Sequence, residues 1–219
     1  VRRPDGRFRL LAQLGPPDAR DLEALAAAVA PRLEAVLPPC SPANRVAGLA
    51  PLRLEPWTAA RARHRALLRR LLEDPGVRAV LVLDVADCYG SIRPAALAAA
   101  LRGLGLPGPA RRAAGLLSSL QERGVPGLPV GPPASAVLAN AVLLGLDAAL
   151  RGADVPHVRW VDDVLVPTGD ARAAARALGV AARALEGAGL VPHPGKTRVL
   201  PAPEEVRALL RRPASAAAR

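Results

Sequence analysis

From Val77 to Val85 the sequence reads VRAVLVLDV, an almost unbroken run of valine and leucine with an acid next to its end. A run this apolar, with no polar alternation, reads as a fully buried strand rather than one with a wet face. Asp84 terminates it, and an uncompensated carboxylate at the end of a buried strand is costly. The fold therefore has to cover this strand and also supply Asp84 with a partner.

The rest of the chain alternates helical and extended signals around that strand. A short strand is expected near Phe8–Leu11. A helix from about Asp18 to Leu37 starts on acidic residues and is stopped by Pro38 and Pro39. The stretch Thr58–Leu72 predicts a second helix carrying Arg61, Arg63, Arg65, Arg69 and Arg70, either a solvated face or a surface for a phosphate backbone. Helices follow from Pro94 to about Arg102, over Pro109–Arg123, and over Ala134–Leu150 after a Gly/Pro loop. Val158–Val166 reads as a hairpin with its tight turn at Asp162 and Asp163, then a helix over Asp170–Gly187 and a strand near Thr197–Leu200. Strands alternating with helices imply an α+β sheet covered on one face.

Charge and composition narrow the partners. The formal charge is +11, which favours phosphate-bearing ligands, although an arginine-rich codon bias would give the same figure. Aromatic residues are only 2% of the chain, too few for a single-strand binder built on stacking platforms. Cys40 and Cys88 lie far apart, and His64, His157 and His193 are scattered, so no zinc spacing is present and a reduced, cytoplasmic setting is expected. No apolar stretch reads as long and clean enough to span a bilayer, and the start lacks a signal-peptide core.

Adjacent carboxylates at a turn repel each other, and Asp162–Asp163 alone is no more than turn chemistry. Asp84 changes that reading. If the buried strand and the hairpin share a sheet, three carboxylates gather at the strand ends, a donor set for hard divalent cations. Two such cations can clamp the attacking and leaving oxygens of an in-line phosphoryl transfer.

Several segments together resemble bacterial reverse transcriptases. LDVADCYGSI (Leu83–Ile92) is similar to the first palm motif, with an aromatic five residues after the Asp. GLPVGPPASAVLAN (Gly127–Asn140) resembles the loop-and-helix motif, RWVDDVLV (Arg159–Val166) the aromatic-x-Asp-Asp hairpin, and GAGLVPHPGKTRVL (Gly187–Leu200) the element after it. Upstream, RRPDGRFRLL (Arg2–Leu11) is similar to a fingers segment. The motifs come in the family's order. In a chain whose only Lys is Lys196, only Ile is Ile92 and only Tyr is Tyr89, these rare residues all fall inside them.

The resemblance implies a right-hand polymerase with fingers over residues 1–75 and a palm over 76–200, its antiparallel sheet packed by helices on one face. Residues 201–219 would be a truncated tail or the start of a thumb, so a thumb is expected to be absent or truncated, or supplied by a partner protein or a second copy. It implies an RNA-directed DNA polymerase that uses dNTPs, an RNA template, a DNA or RNA primer and two Mg²⁺ ions, with Mn²⁺ as a substitute. Asp84 and Asp162, with the backbone carbonyl of Val85, would ligate the metals, and Asp163 would be more peripheral. Lys196 would act on the pyrophosphate leaving group; its plainer reading is a surface lysine. Tyr89 would be a steric gate against a 2′-hydroxyl, or else an ordinary core aromatic. Arg9 would grip the triphosphate, and Val130 and Gly131 would lie at the nucleotide.

Val130 departs from the Gln common before that glycine, and an aliphatic there resembles diversity-generating retroelement and phage-defence enzymes of this family. The remaining palm motifs are of the retron and group II intron kind. Two alternatives stay open: a template-independent or protein-primed DNA polymerase in antiviral defence, and an inactive palm-fold nucleic-acid-binding protein.

Overall fold

The central strand finds its cover in the way its composition demands. A computed structural model of the chain describes residues 13–200. The expected strand at Phe8–Leu11, Arg9 and the tail over residues 201–219 lie outside the described residues. In chain order the elements are α1 (Pro16–Glu34), β1 (Val46–Leu49), β2 (Leu52–Leu54), α2 (Trp57–Leu72), β3 (Ala79–Asp84), α3 (Cys88–Ser91), α4 (Pro94–Gly103), α5 (Pro107–Glu122), α6 (Pro133–Gly152), β4 (Val158–Trp160), β5 (Asp163–Thr168), α7 (Ala171–Glu186) and β6 (Arg198–Leu200).

The main sheet has the order β4-β5-β3-β6, and every neighbour runs antiparallel. Leu81, Leu83, Val85, Val164 and Val166 face a large core shared with α1, α4, α5, α6 and α7. Side chains alternate across a strand, so Val80 faces the other way, where it packs with Val158, Leu200 and the α2 residues Leu68 and Leu72. The large helical layer therefore lies on one face of an α+β sheet, as expected. Helix α2 additionally caps part of the opposite face, which is why β3 needs no polar alternation.

Helix α6 is the centre of the helical layer. Every residue from Ala134 to Leu143 is buried, so the helix is enclosed on all sides. It is also apolar enough, and at 20 residues long enough, to cross a bilayer, contrary to the sequence expectation. Its burial inside the fold accounts for that composition. Helix α7 is amphipathic, with Ala174, Ala177, Ala181 and Leu185 inward. The Asp170 carboxylate accepts the Ala173 N–H at 2.6 Å and caps its start.

Two features of the strands also differ from the sequence reading. The β1–β2 hairpin was not expected, because its strands are short, with a register shift at Gly48 and Pro51 in the turn between them. The β4–β5 turn is centred on Val161 and Asp162, not on the two aspartates, since Trp160 pairs with Asp163 and Asp163 already begins β5.

Candidate active site

The register of β3 against β5 brings the acids together. Asp84 lies directly opposite Asp163, the last pair of a ladder that starts at Ala79 and Thr168. Opposed residues share a face, so both carboxyls point away from the large core. One residue earlier, the Asp162 carbonyl accepts the Val85 N–H at 3.2 Å, which ties the turn to the end of β3. Asp84 is buried.

Like charges so close must be neutralised or protonated. Partial burial of the Asp163 carboxyl, followed by the charges of Asp162 and Asp84 and a hydrogen bond with Asp84, pushes its pKa up to about 7, against the opposing pull of Lys196. The Lys196 ammonium sits 3.1 and 3.0 Å from the two Asp84 oxygens. It comes from a loop that runs beside β3. The Ala86 N–H donates to the Val191 carbonyl at 2.9 Å, and the His193 N–H donates to the Asp84 carbonyl at 2.7 Å. The His193 carbonyl then accepts the N–H groups of Lys196 (3.2 Å) and Thr197 (2.9 Å), closing the turn that aims the lysine. Three carboxylates against one ammonium leave net negative charge among oxygen donors, which fits hard divalent cations.

Tyr89 is half-buried against the large core on the short helix α3. Asp87 precedes it with φ 38, a left-handed turn that reverses the chain after β3. The Gly/Pro loop packs onto this helix: the Leu128 N–H donates to the Tyr89 carbonyl at 2.9 Å. A Cβ on Gly127 would come within 2.4 Å of the Tyr89 carbonyl oxygen and 2.7 Å of that of Gly90, so only glycine fits. Gly131 has φ 127, a conformation that favours glycine, and is exposed beside half-buried Val130.

A buried polar network behind the hairpin was not foreseen. Arg159, 1% exposed, reaches from β4 into the helical layer. Its Nε and Nη2 donate to the Asp147 oxygens at 2.8 and 2.7 Å, and its Nη1 donates to the Asn140 Oδ1 at 3.0 Å and the Val161 carbonyl at 2.8 Å. Asp147 also accepts from the Ser41 hydroxyl at 2.9 Å and lies 3.4 Å from His157 Nε2. Burial alone would raise the Asp147 pKa, but the Arg159 charge and the hydrogen bonds outweigh it and hold the carboxyl well below its usual range. Burial disfavours the charged His157 ring as well, yet hydrogen bonds with Asp147, Cys40 and the Val155 carbonyl raise its pKa to about 9. The available signal was an Asp within the otherwise apolar run of α6, which a buried cation must answer.

Cys40, Asp147 and His157 therefore cluster in space although nothing in their spacing suggested it. Within the fold the cluster is tied together by hydrogen bonds: both Asp147 oxygens accept from Arg159, one of them also from the Ser41 hydroxyl, and His157 Nε2 lies 3.5 Å from Cys40 Sγ.

Val161, at the turn that this network touches, has φ 58. A β-branched residue there costs on the order of 1–3 kcal/mol and persists only where its surroundings over-determine it. The chain's two tryptophans also meet at this margin. Trp57 packs edge-on to Trp160 with centroids 6.3 Å apart, His64 lies 5.3 Å away, and the Arg61 guanidinium sits 4.9 Å over the Trp160 ring. Trp160 pairs with Asp163 and shares its face.

A protein-family model described as reverse transcriptase (RNA-dependent DNA polymerase) matches residues 1–209. A search of curated proteins finds no match.

Proposed function

The chain belongs to the reverse transcriptase (RNA-dependent DNA polymerase) family, and from that premise we propose that it extends a primer on an RNA template with dNTPs. The observation that carries this reading is the convergence of Asp84, Asp163 and the Asp162 turn at one end of the sheet, with Lys196 on Asp84.

In this reading residues 1–75 are fingers and 76–200 the palm. Asp84 and Asp162, with the Val85 carbonyl, would hold two divalent cations, Mg²⁺ or Mn²⁺, with Asp163 as the more peripheral carboxylate. When bound, those cations supply Lewis-acid stabilisation of the attacking and leaving oxygens. The primer 3′-hydroxyl attacks the α-phosphorus and passes its proton to solvent, while the bond from the α-phosphorus to the bridging oxygen of the β-phosphate breaks and pyrophosphate leaves. Lys196 neutralises or protonates that leaving group. Tyr89, seated by the Gly127 contact, closes the space a 2′-hydroxyl would need. Gly131 lets backbone approach the nucleotide beside Val130. Arg9 on the triphosphate, antiviral defence or a retroelement role, and a thumb from a partner or second copy remain parts of the same proposal. Cys40 and Cys88 are free thiols, which accords with a cytoplasmic setting.

The test is primer extension on an RNA template with Mg²⁺ or Mn²⁺, comparing the wild type with Asp162→Ala. Template-directed extension that vanishes in the variant establishes the polymerase. Products made without template favour the defence-type alternative. Retained duplex binding without synthesis in the wild type means that a thumb or partner is required or, if synthesis stays absent at high protein concentration and with added partner, that the domain binds without catalysing.

A further inference from the structure

The geometry points to Arg159 as a positioning residue for Asp162: its guanidinium, clamped by Asp147 and Asn140 on α6, holds the Val161 carbonyl and so aims the Asp162 carboxylate. The inference rests on the reading of Asp162 as a cation ligand.

Two hydrogen bonds hold the backbone of the turn. The Val161 carbonyl accepts from Arg159 Nη1 at 2.8 Å, and the Asp162 carbonyl accepts from the Val85 N–H at 3.2 Å. The second is a backbone bond that continues the β3–β5 ladder. The first comes from a side chain anchored in another layer of the fold. With Val161 at φ 58, the turn has an unfavourable backbone that would relax if one hold were released. Relaxation there rotates the peptides on both sides of Asp162, and with them its side chain.

The arrangement of Arg159 is more than packing requires. A buried ion pair can usually be replaced by apolar residues of similar volume without loss of stability. Here Nε and Nη2 are committed to Asp147, which leaves Nη1 to bridge Asn140 and the turn. Ser41 on the second Asp147 oxygen, and the Asn140 Nδ2 donation to the Ala43 carbonyl at 3.0 Å, fix the anchor in turn. A rigid planar fork meets all these partners at once, which a single ammonium cannot do. Outer partners of metal ligands typically change metal affinity or activity by 10–100-fold when removed.

The test uses Arg159→Lys, which keeps a cation on Asp147 but cannot also hold the Val161 carbonyl. It is compared with the wild type for thermal midpoint, Mn²⁺ binding to the free protein by calorimetric titration, and kcat and KM for dNTP in primer extension. Expected are Mn²⁺ affinity and kcat each reduced by about 10–100-fold, with KM little changed and the fold intact. Adding Val161→Gly, which removes the cost of the left-handed turn, should restore part of the loss. If Arg159→Lys fails to fold, the double variant Arg159→Met/Asp147→Leu removes both charges together and is read in the same way. A folded variant with wild-type Mn²⁺ affinity and kcat overturns the inference and leaves Arg159 a packing residue. A wild type that neither binds Mn²⁺ nor extends a primer overturns the reading of the site itself, a result distinct from the first.

Discussion

Lys196 Nζ lies 3.0 Å from Asp84 Oδ2, joining a loop beyond α7 to the end of the central strand. The lysine is half exposed, so the pair is a weak contributor to stability, below about 1 kcal/mol. Its energetic role is to offset carboxylates that would otherwise face one another. Removing it should separate stability from chemistry. Lys196→Ala is expected to keep its thermal midpoint within a few degrees while single-turnover incorporation falls by about 10²–10⁴-fold. A variant with wild-type incorporation would make Lys196 a surface lysine.

Tyr89 and Gly127 should behave as a gate and its seat. Tyr89→Ala is expected to raise ribonucleotide incorporation relative to deoxynucleotide, read by competition in primer extension. Gly127→Ala drives a methyl into the Tyr89 and Gly90 carbonyls, so it should cost about 1–3 kcal/mol as an overpacked site. Chemical denaturation measures that cost. Unchanged stability would mean that the loop shifts freely on α3.

The buried pair of His157 and Asp147 predicts a pH dependence of known sign. The His157 pKa is raised to about 9 in the fold, from about 6.5 in the unfolded chain. Its contribution is fully present below pH 6.5 and is lost as pH rises through about 9, up to roughly 3 kcal/mol in all. Denaturation of the wild type and of His157→Gln at pH 6 and pH 10 isolates this group. The gap between the two proteins should shrink at the higher pH, and a gap that stays constant would refute the assignment.

Val130 offers no hydrogen bond where an amide would. Val130→Gln is expected to lower the error frequency of templated synthesis, measured by sequencing the products. An unchanged error spectrum would remove Val130 from nucleotide selection.

What local pattern encodes, the sequence determined by itself. The apolar run ending in Asp84, the three-to-four-residue spacing of alanines in α7 with Asp170 at its start, and the two short apolar runs around the aspartates specify elements whose period and caps lie within a few residues. The family resemblance was likewise carried by short segments, among them Leu83–Ile92, Gly127–Asn140 and Arg159–Val166. Tertiary structure decided what depends on pairing between distant segments. The β3–β5 register set Asp84 opposite Asp163 and moved the turn to Val161 and Asp162. A one-residue slip would have turned Asp84 into the large core, and no local signal excludes that slip.

The same holds for Arg159 and Asp147. On a short strand and in an apolar helix they read as unrelated charges, and only the packing of β4 on α6 makes them a buried pair reaching the turn. Lys196 is legible as a rare residue, but its approach to Asp84 needs the His193 turn bonded to the end of β3. Local period and capping choose the elements because their energies are short-ranged. The site comes from contacts whose chain-closure entropy is met only when the whole core assembles.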